Sequence, residues 1–90
     1  MDITIKKEDH NLFIVKINSK NNSIHRVILK DDLHNHLTKG KISKEELIKL
    51  SFQFLLQRES NTSILSSFEL KMISNYFPEY EKEIILKIKE

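Results

Sequence analysis

One stretch, SKEELIKLSFQFLLQR from Ser43 to Arg58, does most to decide what this chain can become. Ser43 followed three residues later by Glu46 is the signature of a reciprocally capped helix start. The run then carries Leu47, Ile48, Leu50, Phe52, Phe54, Leu55 and Leu56. At about 100° per residue these cover about 240° of a helix circumference, leaving Lys49, Gln53 and Gln57 on a narrow polar strip. A helix so widely apolar is stable in water only when it is covered on more than one side. It must be central in the fold, and the rest of the chain must supply its cover.

That cover has to come from one domain, residues 1–90, with room for one modest core. Gly40 and Pro78 are the only glycine and the only proline, so most of the chain should be regular structure with few sharp loops. Upstream of the central helix the periodicity is two. Residues 2–7 put Ile3 and Ile5 on one side and Thr4 and Lys6 on the other. Residues 11–18 alternate Phe13, Val15 and Ile17 with Leu12, Ile14 and Lys16, and residues 23–30 form a third β-branched run. The links are short, and Asn21 and Asn22 tolerate a tight turn without glycine. The expectation is a three-stranded antiparallel meander with the second strand in the middle. An unprotected edge of such a sheet is a natural place for self-association.

The remaining signals are helical. Asp31 and Asp32 open a short helix over 31–38, closed by Lys39 and Gly40. The central helix covers 43–58. Ser66 and Glu69 repeat the capping-box spacing, so a third helix is expected over 67–77, with Leu70, Ile73 and Phe77 at helical spacing. Pro78 ends it and starts a fourth over 78–88, carrying Tyr80, Ile84, Ile85 and Ile88. The fold class predicted is α+β, with about four helices packed on one face of the sheet.

Several functions find no support in the residues. There is no cysteine, hence no disulfide, thiolate metal site or cysteine nucleophile. Apolar runs are too short to span a bilayer, and the start MDITIKKED lacks the apolar segment of a secretory signal, so a cytoplasmic location is expected. Gly40 alone cannot build a phosphate-cradling loop, and no serine sits in a glycine-flanked turn. His34-Asn35-His36 reads "HNH", but residues two apart on a helix face about 200° away from each other and cannot share a metal. Asp32 and His36, four apart, supply two ligands at most. No catalytic, cofactor-binding or metal-binding residue is assigned, and no enzyme is expected.

Net charge is +2, too small to argue for nucleic acid by itself. It is unevenly spread: nine Lys/Arg against five Asp/Glu in residues 1–44, and six against eight in 45–90. A helix-turn-helix reading of 46–77 fails on its second helix, which offers one lysine and no arginine. Basic residues gather instead on the strands and around Gly40, as Lys39, Lys41 and Lys44.

Aromatic residues concentrate in the helical half. Most are needed for the core. Tyr76, Phe77 and Tyr80 bracket Pro78, and a rigid aromatic corner is a candidate partner contact. Arg58, at the end of the central helix, is a candidate for a structural ion pair with Glu69, or with Glu79 or Glu81.

The wording of FQFLLQRES and SILSSFELKMISNYFPEYEKEI also resembles a widespread group of short bacterial proteins of unassigned function. Their pattern runs roughly F-x-F-L-L-x-R-E, S-I-L, F-x-L and I-x-x-Y-F-P-E-Y, over about a third of the chain. The resemblance implies a small α+β protein of a bacterial cell and supplies no activity, cofactor or catalytic residue. The leading expectation is a non-enzymatic protein that works by binding another protein or a second copy of itself, without a membrane. The alternatives are a small nucleic-acid-associated regulator and an antitoxin-like or phage-encoded inhibitor.

Overall fold

The central helix takes the place its pattern demands. In the computed structural model, which describes residues 2–90, it is α2, Lys44–Leu56. The Ser43 hydroxyl accepts from the Glu46 N–H at 3.1 Å and the Glu46 carboxylate accepts from the Ser43 N–H at 3.2 Å, so the capping box forms. Leu47, Ile48, Phe52, Phe54 and Leu55 are all buried. Their cover is a sheet together with helices α1 (Asp31–Thr38), α3 (Ile73–Tyr76) and α4 (Tyr80–Lys89).

The sheet is a meander with an addition. Strands β1 (Asp2–Lys7), β2 (Leu12–Asn18) and β3 (Ser23–Ile28) pair antiparallel, in an unbroken register that sets Ile3 opposite Ile17 and Ile5 opposite Val15. Phe13, Val15, Ile17 and Val27 are fully buried on the helix side. The fold is α+β, as expected, but the sheet has four strands and mixed orientation. The fourth, β4 (Ser67–Glu69), lies parallel to β3 with Phe68 beside Val27.

Here the expected helix over 67–77 is corrected. Residues 67–69 are extended, a 3-10 turn follows at Leu70–Met72, and only Ile73–Tyr76 are α-helical. The cause is the outer edge of β3. Its unpaired N–H and C=O groups are satisfied by the 66–69 segment, beginning with the Arg26 N–H donating to the Ser66 carbonyl at 2.8 Å. Ser67 out, Phe68 in and Glu69 out then follow the strand period, and the Ser66–Glu69 spacing goes unused as a cap. At Pro78, Phe77 is extended (φ −132°, ψ 90°), as the residue before proline prefers. The turn closes through Tyr80 N–H to Phe77 C=O at 2.9 Å, so α4 starts at Tyr80 and not at the proline.

The short helix α1 is closed as read, by Lys39 and Gly40 in left-handed conformation. Its opening acids act differently. Asp31 does not cap the helix; it accepts from His10 Nε2 at 2.9 Å and from Lys44 Nζ at 2.6 Å. The buried Lys44 ammonium also donates to Asn11 Oδ1 at 2.8 Å and to the His10 carbonyl. This joins the β1–β2 turn to the starts of α1 and α2. The hydrogen bond from His10, then that from Lys44, holds the Asp31 carboxyl down at about 2. A depressed carboxylate stabilises the fold above its unfolded pKa, near 3.8, and that contribution is lost as pH falls through about 2. Asp31 is exposed, so solvent screening keeps the effect modest. Urea midpoints should therefore fall between pH 4 and pH 2 in the native chain, and more shallowly in Asp31→Asn. Equal slopes would remove Asp31 from the account.

No helix among the described residues is long and apolar enough to cross a membrane.

Candidate partner-binding groove

The detour of the chain through residues 60–77 creates a largely apolar hollow on the surface. Asn61–Ser63 form a 3-10 turn, an irregular link over 64–66 leads to β4, and the chain then folds back through α3. Between this arc and the end of α2 lies a groove of about 240 Å³. Leu55, Ile64 and Ile73 are buried in its floor, with Phe68 half-buried beside them. Leu65 and Tyr76 stand on the rim, 50% and 62% exposed, with Met72 and Phe77 between. Glu59 is the one charged side chain in the lining, and it makes no ion pair among the described residues.

A polar chain fixes the rim. The Leu65 carbonyl can only accept, so His25 Nδ1 carries the proton that bonds it at 2.8 Å. His25 Nε2 bonds the Ser23 hydroxyl at 2.8 Å. Ser23 accepts in turn from Asn61 Nδ2 at 2.8 Å, and the same amide donates to the Asn21 carbonyl at 2.7 Å. His25 and Asn61 are both buried, and every buried side-chain polar atom among the described residues finds a partner. The β2–β3 hairpin thus holds the groove's outer arm. Below it, Phe52 packs between His25 (5.4 Å between ring centroids) and Phe68 (6.0 Å).

The residues singled out from sequence fall in different places. Tyr76 and Phe77 line the groove. Tyr80 does not: it is fully buried, its ring is 5.2 Å from Phe54, and its hydroxyl bonds Ser51. The aromatic corner divides into a core residue, Tyr80, an exposed one, Tyr76, and Phe77, which is half-buried against the core. The expected Arg58–Glu69 pair does not form. Arg58 Nε meets Glu79 at 3.2 Å, Nη2 meets Glu83 at 2.9 Å, and Nη1 donates to the Phe54 carbonyl at the end of α2. Its guanidinium lies 3.6 Å from the Phe54 ring centroid. Glu69, one strand step beyond the inward Phe68, points to the opposite side of the sheet and meets Lys30 and Lys71. Arg58 is a clamp between α2 and α4.

Leu55, Ile64, Leu65, Phe68 and Met72 carried no sequence signal of a site. Their convergence depends on β4, and the S-F-E-L alternation at 67–70 was the one local hint of it.

The other candidates gather less. His34 bonds the Ile42 carbonyl at 2.7 Å while His36 meets Glu81 at 3.1 Å, so the two histidines have separate partners. Among the described residues no group of three or more His, Asp or Glu side chains is placed to hold a metal ion. A hollow of about 370 Å³ lined by Lys30, Asp32, Glu69 and Lys71 is larger than the groove, but both of its lysines already face Glu69. Lys44, counted from sequence with the basic cluster near Gly40, is buried against Asp31. The sheet face turned away from the helices carries exposed Lys6, Lys16 and Arg26 around Ile14, with no aromatic side chain on it among the described residues.

No protein-family model, curated protein or solved structure matches this chain.

Proposed function

We propose that the chain is a non-enzymatic binding protein whose groove takes apolar side chains of a partner protein. The observation that carries this reading is the exposure of Leu65 and Tyr76 on the rim of a mostly apolar groove held in shape by buried hydrogen bonds. A volume of about 240 Å³ lies below the ~300–1,000 Å³ of sites that enclose a drug-sized ligand. It suits one or two anchoring side chains. Aromatic anchors in desolvated pockets dominate such contacts, and the free carboxylate of Glu59 favours a partner with a cation next to its anchor.

Nucleic acid is the second reading, and Lys6, Lys16 and Arg26 on the open sheet face favour it. The face offers phosphate contacts but no aromatic platform on which bases would stack, which places it behind the groove.

The experiment is a pull-down from the native cell with and without nuclease, comparing the native chain with Leu65→Asp/Tyr76→Asp. Both positions are exposed, so the variant should keep its circular dichroism and melting temperature. A partner anchored in the groove should be captured at least about tenfold less by the variant. Undiminished capture would refute the groove reading, and capture abolished by nuclease alone would replace it with the second.

A further inference from the structure

The groove occupies one side of the sheet; the opposite edge has an unfilled capacity of its own. Strand β1 is the outermost strand there, six residues long, with no proline and no break in register. The phase of its backbone is fixed by two bonds: Glu8 N–H donates to Leu12 C=O at 2.9 Å, and Leu29 N–H donates to Asn11 C=O at 2.8 Å. Alternation along an antiparallel ladder then turns the N–H and C=O of Asp2, Thr4 and Lys6 toward β2. Those of Ile3, Ile5 and Lys7 face outward.

We propose that β1 pairs antiparallel with β1 of a second copy of this chain, about a two-fold axis at Thr4. This goes beyond the groove reading and does not rest on it. A symmetric register keeps the helix-side residues on one side when the axis falls at a residue. An axis at Asp2, Lys6 or Lys7 sets that charged side chain against its own copy, which leaves Ile3, Thr4 and Ile5. An axis at Ile5 sets Ile3 against Lys7 and Asp2 against Glu8, a carboxylate facing a carboxylate. An axis at Ile3 sets Asp2 against Thr4 and leaves Lys6 without an opposite charge. The axis at Thr4 satisfies each requirement. Ile3 and Ile5 of the second copy exchange both backbone hydrogen bonds, and the symmetric pair repeats the exchange. On the helix side the half-buried Ile3 and Ile5 side chains cover each other and extend the core. On the open face Asp2 lies opposite Lys6 of the second copy, twice by symmetry. The occupant is chosen by this self-complementarity of shape and charge. Little surface beyond the strand itself is specified, so the dimer is weak and reversible.

The chain has no cysteine, which permits a direct test. Thr4 faces its own symmetry mate across a pair without hydrogen bonds, where Cα atoms lie about 4.5 Å apart, within disulfide range. Thr4→Cys should therefore oxidise to a covalent dimer in glutathione buffer at least about tenfold faster than Lys16→Cys, which is exposed but one strand inside the edge. A second arm uses the native charges. Asp2→Lys should weaken the dimer, measured by light scattering over a dilution series, by about tenfold, and Asp2→Lys/Lys6→Asp should restore it. Equal oxidation of the two cysteine variants, or no recovery in the charge swap, would overturn the proposed pairing.

Discussion

Tyr80→Ala should cost about 3–5 kcal/mol, the range for deleting a large buried aromatic side chain. A domain of this size has roughly 5–13 kcal/mol to lose, so much of the variant should be unfolded at room temperature or unfold at a few molar urea. The ring is fully buried against Phe54, which lies between it and Phe77 (5.8 Å from Phe54) under the Arg58 clamp. Its loss opens a cavity where α2, α4 and the Pro78 turn meet. Tyr80→Phe keeps the ring and removes only the hydroxyl. Ser51 still donates to the Leu47 carbonyl at 2.8 Å, so this change should cost only about 0.5–1.5 kcal/mol. The phenol also has a pH signature. Burial raises its pKa well above the usual value near 10. The native chain should therefore lose stability as pH climbs past about 10, where the unfolded tyrosine ionises and the folded one does not. Tyr80→Phe should lose less. Tyr76→Ala, on the rim, should stay within about 0.5 kcal/mol of the native chain. Urea unfolding followed by circular dichroism measures all three, and similar midpoints for Tyr80→Ala and Tyr76→Ala would reverse the division of the aromatic corner.

The second large effect is expected at Phe52. It is fully buried, with His25 on one side and Phe68 on the other, beneath the groove's outer arm. Phe52→Ala should cost about 3–5 kcal/mol through the same cavity mechanism. It should also have a local consequence that Tyr80→Ala lacks. His25 loses the ring it packs on, and with it the constraint that aims Nδ1 at Leu65. Phe52→Leu retains most of the volume and should cost about 1–2 kcal/mol, leaving a folded protein in which the groove can be observed. In that variant the NMR signals of Leu65, Phe68 and Met72 should broaden or shift, while those of α4 stay in place. An unchanged groove spectrum would mean that the hairpin network alone fixes the rim.

What could be read from the sequence divides along the range of the interactions. The meander was legible because each strand is six or seven residues of alternating pattern joined by a short link, so local rules suffice. Helix α2 was legible because its cap and its apolar arc are both local. The strand β4 was not. Three residues are too few to show a period, and Ser66 with Glu69 imitated a helix start. What decides their conformation is the outer edge of β3, some forty residues earlier in the chain. The candidate site inherits the same limit. Tyr76 and Phe77 stood out as surplus aromatics next to the only proline. Leu55, Ile64, Leu65 and Phe68 join them only after the chain has turned back onto the sheet. Glu69 was lost as a partner of Arg58 for this reason too, since extending 67–69 sends it through to the other face.

The order of the strands has a consequence for valency. β1 and β4 are the two margins of one sheet, so the proposed pairing at β1 would leave the groove beside β4 free. In a pair joined at β1, seven strand spacings separate one β4 from the other, on the order of 30 Å. Each pair then presents two grooves, fixed in distance and related by symmetry. A partner that repeats its anchoring segment on a flexible tether of that reach would bind the second groove at an effective concentration of about millimolar, and avidity would replace strength at the single site.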